Sequence, residues 1–455
     1  MNTAQPAQGR SAHLVTRRSF LWRSAAGAAV AIVPAHVLGR AGGTPPSGKL
    51  NLACIGVGGR GKDDLDGVRG ENIVALCDVD QSRAADAFKA FPRAKQFQDF
   101  RRMFDQMEKE IDAVVVATPD HTHAIPTMMA MQRGKHVYCE KPLTHSLHEA
   151  RAITEAARRY KVATQLGNQG HSSETIRQFV EMIQAGAIGT VREVHAWCQN
   201  SYRPRQYRVR PTDTPPVPPT LGWDLWLGPA PQRPYHPVYL PGKWRGWVDF
   251  GTGIIGDWTC HVLDPVFWAL NLDAPTSVLA QAEEYDDPKV RAETHPAVYT
   301  LDYEFPARAG RSPVKVKWFS GTLPPRPEEL EPNRKLVSIG AIVIGDSGKI
   351  MYGSHGAASA QLIPADKDKA FQRPPKTLPR SNGHYEDWIA ACKGGPAASS
   401  TFDYGGPLTE VALLGALGLR MNGQRLEWDA TKLEVTNLAA ANLHVNPPYR
   451  TGWKH

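Results

Sequence analysis

Leu50-Asn51-Leu52-Ala53-Cys54-Ile55-Gly56-Val57-Gly58-Gly59-Arg60-Gly61 is an apolar run that closes on a cluster of glycines. Unbroken apolar character over 50–57, rather than alternation, is the pattern of a parallel strand covered on both faces. The glycines fit G-x-G-x-x-G. One serves a tight turn, one lets the backbone approach a pyrophosphate, and one lets a helix pack closely on the strand. The pyrophosphate would sit at a helix N-terminus, where free N–H groups and the helix dipole favour an anion. A second apolar run, Asn72–Cys77, is followed by Asp78, about 20 residues beyond the glycines. An acid there hydrogen-bonds an adenosine ribose diol and repels a 2′-phosphate, so NAD is favoured, while Arg60 and Lys62 leave NADP open. Nucleotide-binding methyltransferases share strands that end in glycines and an acid, and they are the competing reading at this point.

Working outward, further strand-like runs lie at 111–117, 136–139 and 162–166, with helical segments at 81–91, 100–108 and 147–160 between them. Such alternation predicts an α/β fold whose first domain, 49–167, is a Rossmann dinucleotide-binding domain. Past Ser172 the pattern changes. A helix at 174–185 leads to strands at 191–197, 277–285, 297–305 and 314–320 without obligatory helices between them. This predicts a C-terminal α+β domain, 168–455, with a large, mostly antiparallel open sheet. Helices return at 382–393 and 406–421, and no internal repeat is present. Residues 202–247 form a long insertion crowded with prolines and with Trp223, Trp226, Tyr235, Tyr239, Trp244 and Trp247. Its aromatic content argues against disorder, and it is read either as a cap over a pocket or as an arm for a neighbouring subunit. Arg203, Arg205 and Arg208 within it are expected in solvent.

The chain has 455 residues and a formal charge of +8, from 53 Lys and Arg against 45 Asp and Glu. Five of the basic residues, Arg10, Arg17, Arg18, Arg23 and Arg40, fall in the first 40 residues, which hold no acid. The remainder is close to neutral, which removes the reason to expect a nucleic-acid partner. Thr16-Arg17-Arg18-Ser19-Phe20-Leu21, followed by a weakly apolar stretch at 25–33, resembles a twin-arginine export signal, with Trp22 where a Lys is usual. Residues 1–40 are therefore expected to be a signal peptide that sends the protein to the periplasm or beyond. No other stretch approaches the roughly 20 apolar residues of a membrane helix, so no span is expected in the mature protein. The six cysteines are scattered and are expected to be free.

Two loops carry chemistry. Thr118-Pro119-Asp120-His121-Thr122-His123 follows the third strand and Glu140-Lys141-Pro142 the fourth, at the carboxyl ends where open α/β sheets bind ligands. Together with the glycine motif, Asp78 and Gly256-Asp257-Trp258-Thr259-Cys260-His261, this succession resembles the Gfo/Idh/MocA oxidoreductase family from about Lys49 to the C-terminal helices. The resemblance implies catalytic roles for Lys141, Asp257 and His261 at the reacting carbon of a sugar. The residues themselves agree. Asp257 and His261 are four apart and share a helix face. An imidazole is a suitable base for a hydroxyl proton. Lys141 can stabilise negative charge on the substrate oxygen, and Asp257 can orient the imidazole or bind a neighbouring hydroxyl. Cofactor contacts are expected from Gly56, Gly58, Gly59, Arg60, Gly61, Asp78, Thr118, Pro119, His123 and Glu140. His121 and His123 lack the further ligands a metal needs and are read as a turn near the nicotinamide. Where many sugar dehydrogenases have an Arg-containing stretch, Asn168, Gln169 and His171 offer neutral hydrogen-bonding groups for a carbohydrate substrate.

A periplasm supplies no ordinary pool of NAD, so an exported enzyme of this kind is expected to hold its cofactor tightly. Two chemistries satisfy that constraint, coupled oxidation of one sugar and reduction of another, and redox-neutral glycoside cleavage through a transient keto-sugar; a simple dehydrogenase passing electrons to an external acceptor is the third possibility. A catalytically silent carbohydrate-binding protein is the reading from another class. The resemblance and the open sheet, with strand residues such as Val278 and Ala282, further imply a homodimer or homotetramer.

Overall fold

The computed structural model describes Met1 and residues 48–204, 206–308 and 310–454. The expected export signal and Arg205 lie outside the described residues, Met1 apart.

Residues from Leu50 onward form one unit around two sheets. Six parallel strands make the first: β1 (Asn51–Ile55), β2 (Asn72–Cys77), β3 (Lys95–Phe97), β4 (Ala113–Val116), β5 (His136–Glu140) and β6 (Thr164–Gly167). Their order is β3-β2-β1-β4-β5-β6, the Rossmann arrangement with its crossover between β1 and β4. β1 and β4 are apolar throughout or nearly so because helices cover both faces of the sheet. The edge strand β3 escapes sequence reading because it is three residues long, with Lys95 and Gln96 exposed.

The second sheet has nine strands: β7 (Val191–Cys198), β8 (Ser277–Ala282), β9 (Tyr299–Phe305), β10 (Val314–Ser320), β11 (Ile339–Gly345), β12 (Lys349–Gly353), β13 (Ala358–Ile363), β14 (Arg425–Asp429) and β15 (Glu434–Val435). All neighbours are antiparallel except β7 and β10. The last five strands add to the four expected. β9 alternates strictly, burying Tyr299, Leu301, Tyr303 and Phe305, and Val278 and Ala280 of β8 point the same way. The opposite face of these strands carries Gln281, Asp302, Glu304, Lys315 and Lys317, with Lys317 paired to Asp302 at 3.4 Å. The apolar end of that face, with Trp197, Ile342 and Met351, is covered by Leu330 of the following loop. That face of the open sheet is therefore polar over β8–β10 and apolar toward β7, β11 and β12. All six cysteines are free and buried.

The insertion condenses on its own aromatic residues. Trp223 and Trp226 stack at 4.9 Å, and Tyr239, Trp244, Trp247 and Phe250 pack with them. Main-chain bonds then dock it on the end of β2. The Gln81 N–H donates to Thr220 O at 3.0 Å, and the Gly222 N–H donates to Val79 O at 2.8 Å. The insertion covers a cleft of its own chain, as the cap reading expects. Arg203 and Arg208 pair with the exposed Glu284.

Candidate active site

The cleft, of about 510 Å³, opens at the carboxyl ends of the parallel strands, with Gly56, Asp78, Thr118 and Lys141 on one side and Leu221, Trp226, Trp244 and Arg245 of the insertion on the other. Its size suits a bound small molecule. Gly56 has φ +78°, and a Cβ there would lie 2.7 Å from Ala117 O. Gly61, the first-turn glycine of the Arg60–Gly67 helix, is tighter still: its Cβ would lie 1.8 Å from Gly56 O. The glycines therefore let turn, helix and strand close on one another while Gly58 and Gly59 face the cleft. Asp78 is fixed by the N–H groups of Val57 (3.0 Å) and Asp80 (2.9 Å), and burial raises its pKa despite them. Thr118 Oγ1 and His261 Nδ1 are buried without a hydrogen-bond partner among the described residues. An open glycine turn, a fixed acid and orphaned polar atoms along one cleft fit a dinucleotide. Gly58 and Gly59 would hold its pyrophosphate, Asp78 its ribose, and Thr118 and Pro119 its nicotinamide end. Arg83, which lies beside both Gly58 and Gly59, was not singled out by the motif. Arg60 lines the cleft but spends its guanidinium on Asp64 (2.9 Å), Tyr385 (2.6 Å) and Glu140 (3.3 Å).

Lys141 and the Gly253–Val262 helix meet at the far end. Lys141 Nζ donates to Asp257 Oδ1 at 2.5 Å and to Asp257 O at 3.2 Å. The Tyr202 hydroxyl donates to the second carboxylate oxygen, and Arg245 Nε lies 3.4 Å from the first. Burial alone would raise the Asp257 pKa, but the Lys141 and Arg245 charges reverse this and hold it below the usual range. Asp257 is thus committed to fixing Lys141, and it neither orients the imidazole nor stands free for a hydroxyl. His261 shares the helix face. Burial, then the positive charge of Lys141, pushes its pKa well below 6.5, so the imidazole is neutral. Tyr202, Arg245, Trp258 and His355 complete this end and escaped sequence reading.

Other expected residues take different places. His123 lines the cleft floor, but Nδ1 contacts Pro142 O (2.8 Å) and Nε2 contacts Thr118 O (2.7 Å), so it ties the two loops together. His121 similarly ties its loop to Phe250 O and Trp226 O of the roof. Gln169 reaches the cleft while donating to Glu140 (2.6 Å) and Tyr138 (2.7 Å). Asn168 and His171 are corrections to the substrate assignment, since neither lines the cleft. Asn168 is fully buried and accepts from Ser400 Oγ at 2.7 Å. His171 bonds Asp264 at 2.8 Å and stacks on Trp268.

These buried imidazoles set a pH signature. Burial lowers His121 and His384 to about 3 and His295 to about 4. They gain protons on unfolding, so their contribution is complete above about 6.5 and is lost as pH falls toward 3. For His123, burial is outweighed by the Cys139 sulfur, Asp120 and the Pro142 carbonyl, which lift it to about 9. That contribution is complete below about 6.5 and is lost as pH rises through about 9. Thermal unfolding across pH should therefore give a maximum near about pH 6.5, with the alkaline limb flattened in His123→Gln. An alkaline limb identical in that variant would contradict the assignment.

Comparison with known proteins follows the same layout. An inositol 2-dehydrogenase of Salmonella paratyphi B is 27% identical over 166 residues, 35% of this chain and 49% of that protein. A 1,5-anhydro-D-fructose reductase of Ensifer adhaerens is 29% identical over 175 residues, 38% of this chain and 41% of that protein. The chain thus spans about half the length of these curated relatives. Among solved structures, an inositol dehydrogenase homologue from Azotobacter vinelandii, complexed with NADH and myo-inositol, gives a TM-score of 0.54 at 18% identity, covering 84% of this chain and 98% of that one. The WlbA dehydrogenase from Bordetella pertussis, in complex with NADH and UDP-GlcNAcA, gives 0.57 at 17% identity, covering 84% and 99%. At such identities the likeness is one of fold. Residues 50–168 match the family described as an oxidoreductase family with an NAD-binding Rossmann fold, and residues 172–300 match its C-terminal alpha/beta domain. With both domains matched in order, and with the cleft between them built as described, the chain belongs to the Gfo/Idh/MocA family of oxidoreductases.

Proposed function

We propose that this protein is an exported oxidoreductase that transfers hydride between a tightly held nicotinamide cofactor and a secondary alcohol of a sugar or glycoside. The observation that carries the reading is the meeting of Lys141, Asp257 and His261 at one end of a cleft whose other end is the glycine turn and Asp78. Bound there, the nicotinamide supplies a site that accepts and returns hydride. The chain does the rest. Lys141, locked by Asp257, presents a fixed positive charge to the substrate oxygen. His261, held neutral, takes the hydroxyl proton. The aromatic roof excludes water and supports tight retention of the cofactor, and its indole faces suit the apolar face of a sugar ring. The inositol and anhydrofructose enzymes among the relatives support a polyhydroxylated substrate. Export is supported by Arg17 and Arg18.

The test uses protein purified without added cofactor. Addition of myo-inositol, D-glucose or methyl β-D-glucopyranoside should produce the near-ultraviolet absorbance of reduced nicotinamide. Bound nucleotide that none of these sugars reduces would favour the silent binding protein. In the same host, the Arg17→Lys, Arg18→Lys double variant should stay in the cytoplasm, and undiminished export would remove that part of the reading.

A further inference from the structure

We propose that His355 is a second proton-transfer residue of this site, serving the carbon beside the oxidised one, and that the substrate is accordingly a glycoside or related sugar with a leaving oxygen β to the ketone. The inference rests on the function proposed above. His355 lies on the turn between β12 and β13, where His355, Gly356 and Ala357 have φ of +58°, +80° and +56°. Three left-handed residues in succession are an uncommon backbone, kept where the surroundings enforce it. Here they do. Thr175 Oγ1 donates to Gly356 O at 2.6 Å and Ser173 Oγ to the same oxygen at 3.2 Å. A Cβ on Gly170 would come within 2.5 Å of Gly356 N. The turn is thereby pressed onto the segment after β6, and its imidazole is delivered to the cleft.

There the His355 ring lies 4.2 Å from that of His261, centroid to centroid, and 5.6 Å from Trp258. Nδ1 is 2.8 Å from Ser354 Oγ, which leaves Nε2 without a partner among the described residues. The side chain is exposed although its neighbours Asp257 and His261 are buried. Partial enclosure of the ring, then the charge of Lys141, lowers its pKa, so it too is neutral. The nearby acids are committed: Asp257 to Lys141, Asp120 to Thr252, and Glu140 to Arg60 and Gln169.

Oxidising one alcohol needs one base, and this cleft has two. While the carbon is a ketone, His261 holds the hydroxyl proton and is unavailable to a neighbouring C–H bond. That bond is acidified by the ketone, and Lys141 can stabilise the enolate formed when His355 takes its proton. The enolate electron pair then expels the oxygen on the next carbon, and His355 returns the same proton to it, so an alcohol departs and an enone remains. Water adds by the reverse sequence: His355 takes a proton from water as its oxygen bonds to the enone, then gives that proton to the carbon. Return of hydride to the ketone, with the proton from His261, leaves hydrolysed sugar and an unchanged cofactor.

The probe is methyl 3-keto-β-D-glucopyranoside, given to the full-length holoprotein in D2O and followed by NMR. This supplies the ketone directly, so exchange is read apart from hydride transfer. Wild-type protein should place deuterium on the carbon between ketone and anomeric centre and release methanol. His355→Ala and His355→Gln should both slow exchange about 100-fold, at least tenfold more than either slows cofactor reduction by methyl β-D-glucopyranoside. No exchange in the wild type, or equal loss of both readouts in both variants, would overturn the second-base role. Exchange in a wild type whose cofactor no sugar reduces would sustain His355 and sink the hydride-transfer reading.

Discussion

Lys141→Met should cut hydride transfer by about three orders of magnitude while leaving nucleotide bound, because removing a buried donor to a developing oxyanion alone costs about 10²–10³ in rate. Here the loss is compounded. Lys141 is the nearest cation to Asp257, and without it a buried carboxylate relies on Arg245 and Tyr202. Leaving one partner of a buried pair costs about 3–5 kcal/mol, so helix and loop should shift at the site as well. Lys141→Arg should rescue little, since a planar guanidinium cannot occupy the position of a compact ammonium. Single-turnover absorbance of the bound cofactor measures the rate, and nucleotide extracted from denatured protein measures retention. A loss below tenfold would remove Lys141 from the chemistry. Loss of nucleotide together with rate would make its role structural.

The second large effect is expected at Gly61. Its added Cβ meets a main-chain oxygen, Gly56 O, which no rotamer change can move aside. Gly61→Ala must push the Arg60–Gly67 helix off β1 and disturb the turn that faces the cleft. Overpacking against side chains costs about 1–3 kcal/mol, and a backbone contact should lie at or above the top of that range. Denaturant unfolding should show at least about 3 kcal/mol of lost stability. The purified variant should also carry no nucleotide. As a control, Gly70→Ala has open space around its Cβ and should behave as wild type. Wild-type stability and nucleotide content in Gly61→Ala would contradict the packing described for this turn.

The parts of the molecule legible in the sequence are those specified by local pattern. β1 and its glycines announce themselves because burial on both faces forbids polar residues and a close turn forbids side chains. Asp257 and His261 were legible because a four-residue spacing places them on one helix face wherever the helix packs. His355, Tyr202 and Arg245 were not. Each reaches the cleft through a turn or loop whose position depends on contacts with distant segments, as Gly356 depends on Thr175 and Ser173. The segment after β6 shows the same limit from the other side. Its place next to the cleft was foreseeable, but Ser400 and Asp264, far along the chain, turn Asn168 and His171 inward and leave Gln169 at the cleft. β12 and β13 were missed because short strands joined by a left-handed turn carry no long periodic signal.

On the function proposed above, the insertion that covers the cleft should keep a bound nicotinamide cofactor in place. The most direct measurement is the nucleotide content of the full-length protein after extensive dialysis, by acid denaturation and chromatography of the supernatant. About one nicotinamide dinucleotide per chain is predicted, as for any cofactor that does not leave a closed cleft. Protein that emerges free of nucleotide and shows no calorimetric affinity for added NAD or NADP would contradict the account.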